Sequence, residues 1–194
     1  MEFLIGIIGK DFVLVAADTT AVISINIFKV DEDKSRDLNK HIIMLYSGEP
    51  GDAVNFAEYI QRNVRFYGIK NGIELNPKAA ATFTRRELAQ SLRSRKPYSV
   101  NVLIAGYDIT KTTPHLYWID YLGTSVEAPY VAHGYGAYYT TSFLDKHHHP
   151  DLTFEEAKIL IKKCIDEIKH RLILNLPEFK IKVVDKDGIR EVVI

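Results

Sequence analysis

Three consecutive imidazoles, His147-His148-His149, are the first side chains whose type suggests chemistry, because neutral imidazole is a common transition-metal ligand. Adjacent residues on regular backbone cannot all face one ion, and Pro150 follows at once, so no metal centre is predicted here. The single cysteine, Cys164, falls in a helical apolar stripe with no activating partner at helical spacing, which predicts a small buried hydrophobe and not a nucleophile. The run Asp31-Glu32-Asp33-Lys34-Ser35-Arg36-Asp37 reads, on its charge pattern, as a solvated turn. Arg85, Arg86, Arg93, Arg95 and Lys96 form a basic helix surface that could face phosphates, but the zero net charge and the lack of an aromatic platform favour a protein interface. The aromatic residues around Tyr135, Tyr138, Tyr139 and Phe143 suit a core or an oligomer contact equally.

These residues must be positioned by a chain of 194 residues, 46% hydrophobic and 26% charged, which predicts one globular domain over residues 1–194. Twenty-five basic and 25 acidic residues cancel, arguing against a chain that lives on nucleic acid or anionic membrane. One cysteine permits no internal disulfide and fits a reducing compartment, so cytoplasm or nucleus is expected. The Met1-Glu2 opening shows no basic segment followed by an apolar one, which predicts no secretory signal.

Phe3 to Ile8 and Phe12 to Ala17 are apolar on both pleat faces, predicting strands covered on both sides and joined by a tight Gly9-Lys10-Asp11 turn. Ala21 to Phe28 reads as a third strand and Ile42 to Tyr46 as a fourth. Helical spacing of Ala53, Phe56, Ala57, Ile60, Val64 and Tyr67 predicts a helix ended by Gly68. Asn76-Pro77 signals the start of a second, through Leu88 and Leu92 and stopped before Pro97. Val100 to Tyr107 and His115 to Tyr121 are strands again, and a short helix should end near Asp145. Thr153 and Glu156 form a capping box ahead of the apolar stripe Ala157 to Leu172, and Phe179 to Val193 closes as a hairpin about Asp187-Gly188. The order of elements suggests two sheets face to face with helices outside each.

Several local runs together resemble a known family. They are Gly51-Asp52-Ala53-Val54-Asn55-Phe56-Ala57-Glu58-Tyr59-Ile60, Ser94-Arg95-Lys96-Pro97-Tyr98, Ala132-His133-Gly134-Tyr135-Gly136 and Asp185-Lys186-Asp187-Gly188-Ile189, with Gly6, Ala16-Ala17-Asp18, Lys34 before Leu38 and Ser47-Gly48. The chain is similar over nearly its whole length to the β-type subunits of the proteasome core particle, most like the beta-4 type, which lacks proteolytic activity of its own. The resemblance implies an α+β, four-layer αββα sandwich of two antiparallel sheets, the N-terminal-nucleophile hydrolase fold. It implies no cofactor. Its expected partners are other β subunits in a seven-membered ring, α-ring subunits and assembly factors, in the 20S core that serves ATP- and ubiquitin-dependent protein degradation.

In active members of that family a threonine hydroxyl attacks the peptide while its own amine serves as base. The resemblance places Glu2 near that position, and a carboxylate cannot replace the alcohol in that cycle. Asp18, Lys34 and Gly48 match the family's acid, lysine and oxyanion-hole glycine. Tyr135 stands where active members place a serine, and Leu172 and Asn175 where they place an aspartate and a second serine. No catalytic residue is therefore expected. The competing reading is a hydrolase that uses Thr19, Thr20 or Ser47 with Lys34 as base.

Overall fold

The computed structural model describes residues 2–23, 26–172 and 176–194. In chain order its elements are β1 (Phe3–Ile8), β2 (Phe12–Asp18), β3 (Ala21–Ile23), β4 (Asn26–Lys29), β5 (Ser35–Asn39), β6 (Ile42–Gly48), α1 (Pro50–Asn71) and α2 (Pro77–Ser91). Then come β7 (Val100–Asp108), β8 (Thr113–Ile119), β9 (Ser125–Glu127), β10 (Tyr130–Gly134), α3 (Ala137–His147), α4 (Phe154–Arg171), β11 (Phe179–Asp185) and β12 (Gly188–Val192). One five-stranded sheet has the order β10-β1-β2-β11-β12, and the other β5-β6-β7-β8-β9. Neighbouring strands run antiparallel throughout.

The period of two along each strand sorts the core into three layers. In β1 and β2, Leu4, Val13, Val15 and Ala17 face the other sheet, where they meet Ile43, Leu45, Leu103, Ala105 and Leu116. Their alternates Phe3, Ile5, Ile7, Phe12, Leu14 and Ala16 face outward, against Leu144 of α3 and Ala157, Leu160, Ile161, Cys164 and Ile168 of α4. On the far side, Ile42, Met44, Val102 and Ile104 pack beneath Ala53, Phe56, Ala57, Ile60 and Val64 of α1 and Ala80, Ala81 and Leu88 of α2. The result is an αββα sandwich, as the residue patterns and the resemblance led one to expect.

The helix signals were legible in the sequence because each has a local cause. Asn76 Oδ1 accepts from Ala79 N–H at 2.8 Å, and Thr153 with Glu156 closes a reciprocal capping box. Cys164 lies fully buried, and burial pushes its thiol up to about 12, so it packs as a hydrophobe.

Four expectations need correction. The stretch read as one strand from Ala21 to Phe28 holds two, β3 and β4, which pair with each other as a separate two-stranded sheet. The charged run before Leu38 is no solvated turn: Ser35 begins β5, and Lys34 is buried, because its ammonium has partners inside the protein. The first helix does not stop at Gly68 but continues to Asn71, where Gly72 takes the left-handed conformation (φ 68°) and donates its N–H back to Gly68 O. Between β8 and α3 the chain adds β9, three residues long and too short for periodicity to declare, and β10, whose Tyr130–Gly134 run lacks a regular apolar alternation.

Candidate functional site

One end of the sandwich gathers the start of β1, the end of β2, the residue before β5, the end of β6 and the end of β10. Antiparallel register does this. Pairing of Leu4 with Ala17 and of Phe3 with Gly134 sets Glu2 beside Asp18 and the β10 terminus, and pairing of Ser35 with Leu45 carries Lys34 to the same end. The Tyr46 N–H donates to Lys34 O at 3.0 Å and fixes that residue's backbone.

Asp18 is the centre of the arrangement. Its side chain is 0% exposed, Oδ1 accepts from Phe3 N–H at 2.8 Å, and Oδ2 accepts from Thr20 N–H at 3.2 Å and from Lys34 Nζ at 2.7 Å. Lys34, 3% exposed, also donates to Thr20 O at 2.9 Å, and Glu2 Oε1 lies 3.6 Å from the same Nζ. Glu2 Oε2 accepts from Gly48 N–H at 2.8 Å. The carboxylate of Glu2 is thus held between the glycine N–H and the lysine. Burial raises its pKa above 4.5, a push opposed by the Lys34 charge and the Gly48 N–H and reinforced by Asp18.

Two glycines make this geometry possible. Gly48 has φ 149°, and a Cβ there would sit 2.1 Å from Ser99 O. Gly134 has φ 88°, and a Cβ there would come within 1.8 Å of Glu2 O, so only glycine lets the residue that carries the carboxylate lie against β10.

The site opens onto a cleft of about 650 Å³, lined by Val22 and Phe28 of the small β3–β4 sheet, by Ser47 and by His133. Tyr135 lines it too, 57% exposed and out on the surface. Leu172 is elsewhere, half-buried against the core under α4, and Asn175 lies outside the described residues. Of the residues singled out by the resemblance, the structure therefore unites Glu2, Asp18, Lys34 and Gly48, puts Tyr135 at the cleft rim and separates Leu172.

The alternative hydroxyls are poorly set for catalysis. Thr19 Oγ1 donates to Val30 O at 2.7 Å. Thr20 Oγ1 is buried and meets no hydrogen-bond partner among the described residues. No hydrogen bond joins the Thr19, Thr20 or Ser47 hydroxyls to Lys34 Nζ among those residues; the ammonium is engaged by Asp18 Oδ2 and Thr20 O instead. Tyr46, its phenol pushed up to about 12 chiefly by burial, is a donor to Asp33 O and not a base.

Outside the cleft, the triple histidine divides its tasks: His147 Nδ1–H donates to Phe143 O and His148 Nε2–H to Ile8 O. Sequence reasoning missed a charge cluster beside Lys34. Asp33 of the segment before β5 meets Lys180 at 3.0 Å and Lys182 at 3.3 Å, both on β11 of the opposite sheet, and Lys182 donates to Ser35 Oγ at 2.7 Å. The signal was present in the sequence, since lysines two apart on a strand share a face. His133, whose Nδ1 accepts from Trp118 Nε1–H at 3.2 Å, was likewise passed over; burial lowers its pKa and favours the neutral ring.

Comparison with known proteins shows what the chain as a whole is similar to. A family described as "Proteasome subunit" matches residues 3–184. The chain is 50% identical over 192 residues to a probable proteasome subunit beta type-4 of Schizosaccharomyces pombe, covering 99% of each chain. It is 49% identical over 192 residues to a proteasome subunit beta type-4 of Saccharomyces cerevisiae, covering 99% of this chain and 97% of the relative. A proteasome subunit beta type-2-B of Arabidopsis thaliana is 50% identical over 191 residues, covering 98% of this chain and 95% of the relative.

Proposed function

This chain belongs to the proteasome subunit family, and from that premise we propose that it is a non-catalytic, structural β-ring subunit of the 20S core. The observation that carries the reading is Glu2: where acyl transfer needs a hydroxyl between a lysine and an N–H donor, the chain holds a carboxylate on the Gly48 N–H, 3.6 Å from Lys34. Asp18 and Lys34 then serve as an internal tie between β2 and the segment before β5. We further infer that its neighbours are two other β types in a seven-membered ring and an α ring, reached with the help of assembly factors. A ring of unlike members needs different surfaces toward each neighbour and contacts that close. The whole complex, and not this chain, would perform ATP- and ubiquitin-dependent degradation, in cytoplasm and nucleus, a placement supported by the lone, buried cysteine.

The test is a serine- and threonine-reactive electrophile applied to purified particles that contain the chain, followed by peptide mass spectrometry of this subunit. No stoichiometric adduct is expected. Full labelling at one hydroxyl, Thr19, Thr20 or Ser47, would establish a nucleophile and defeat the reading.

A further inference from the structure

The turn after α2 carries three cations within four residues, Arg93, Arg95 and Lys96, all exposed. Among the described residues none of the three forms an ion pair, although many other cations of this chain do. Its backbone, by contrast, is fastened. Arg93 N–H donates to Gln90 O at 3.2 Å, Ser94 N–H to Ser91 O at 2.8 Å, Lys96 N–H to Ser94 Oγ at 3.3 Å and Tyr98 N–H to Ser91 Oγ at 3.0 Å. The Tyr98 ring then packs on Phe56 of α1 at 5.2 Å, and Ser99 N–H donates to Asp52 Oδ2.

A fixed loop that presents unpaired like charges is unfavourable in the isolated chain, because the charges repel and their ordering gains nothing internally. Attraction to the carbonyl end of α2 acts within about one turn and favours single cations there. It does not account for three side chains turned to solvent beyond the helix end. Arg86, two turns earlier on the same helix face and also exposed, is paired with Glu87 at 4.0 Å and so adds little free charge, and exposed Leu92 and Pro97 give the turn an apolar edge. Arg85 does not belong to it, since its Nε–H is taken by Gly123 O at 2.9 Å.

We propose that the Arg93–Lys96 turn is a preorganised docking surface for an acidic segment of a neighbouring polypeptide subunit, whose Asp or Glu side chains pair with Arg93, Arg95 and Lys96 while an apolar residue covers Leu92. Guanidinium groups suit two-point contact with carboxylates, and a turn already rigid loses little entropy on docking. Nucleic acid fits less well. The chain has zero net charge, and Tyr98, the ring within the turn, packs on Phe56 and is not free to stack on a base. The inference rests on the subunit reading given above.

Intact particles containing the chain are treated with a water-soluble carbodiimide, which joins an amine to a carboxylate in contact with it. The expected product is a cross-link from Lys96 to an Asp or Glu of a different chain, abolished in Lys96→Arg particles that assemble normally. The triple change Arg93→Glu, Arg95→Glu, Lys96→Glu should lower incorporation; because that variant can fail for other reasons, the wild-type cross-link decides. Particles that hold the chain, give no such cross-link and leave Lys96 open to complete acylation by an amine-reactive ester would overturn the docking surface alone. So would labelled RNA retained by wild-type particles and lost from the Lys96→Glu single variant. Absence of the chain from every particle would overturn the subunit reading with it.

Discussion

Removing the Lys34 ammonium would leave Asp18, fully buried, with two N–H donors and no counter-charge. Stranding one partner of a buried ion pair costs about 3–5 kcal/mol, so Lys34→Ala should lower the denaturant midpoint of the chain strongly. The double variant Lys34→Ala, Asp18→Asn should cost less than the sum of the two single changes, because the second removes the charge that the first exposes. A purely additive cycle in urea would contradict the tie. Glu2 titrates with the opposite sign to the usual carboxylate. Its folded pKa lies above 4.5, so the native state holds the proton more tightly than the unfolded chain does. Its contribution to stability is complete below 4.5 and is lost as pH rises through the folded value. Glu2→Gln should therefore gain on wild type, in a series of urea melts, as pH rises from below 4.5 toward neutrality. A gap that moves the other way would show that Lys34 and Gly48 outweigh burial. The residue scale was also where the sequence was least readable. Glu2 and Asp18, and Asp18 and Lys34, are each 16 positions apart, yet their contact depends on strand register, and the charge run around Lys34 disguised a buried side chain as a solvated one.

At the scale of elements, boundaries with local chemistry could be read and boundaries set by tertiary pairing could not. The capping box of α4 has its signal within four residues, and Thr153→Ala should destabilise the chain by about 1 kcal/mol. For a domain of this size that corresponds to a fall of about 2–4 °C in Tm, measurable by calorimetry at one fixed concentration. An unchanged Tm would mean that tertiary packing alone holds this end. Gly68 and Gly72 were both available to end α1, and the chain ends it at Gly72, which takes the left-handed conformation and donates its N–H to Gly68 O. The β3–β4 pair was hidden because its β-branched residues fit one long strand as well as two short ones. Pairing with the distant β1 likewise made β10 a strand, whereas the three-residue β9 folds back on its neighbour β8 across the Gly123 turn.

For the whole molecule, the alternation of apolar residues and the two helix pairs were sufficient to give the layers. What they omit is which outer surfaces are meant to be covered. No helix among the described residues is long and apolar enough to cross a membrane. Phe66, Ile69 and Ile73 are exposed around the end of α1, as is Tyr138 on α3, and a chain with zero net charge has little to keep copies apart. The isolated chain should self-associate in sedimentation velocity, and incorporation should raise its melting point by mass action. A monodisperse monomer with a concentration-independent melt would argue against a subunit built for assembly.

We propose that the Glu2, Asp18, Lys34 and Gly48 cluster holds the fold together and does no chemistry. It is tested most directly by assaying every peptidase specificity of purified, fully assembled particles carrying Lys34→Ala, with Glu2→Gln particles beside them because Glu2 is less buried. Fewer or less stable particles are expected for Lys34→Ala and, per assembled particle, wild-type rates toward each class of peptide. Selective loss of one specificity from particles that assemble normally would contradict it.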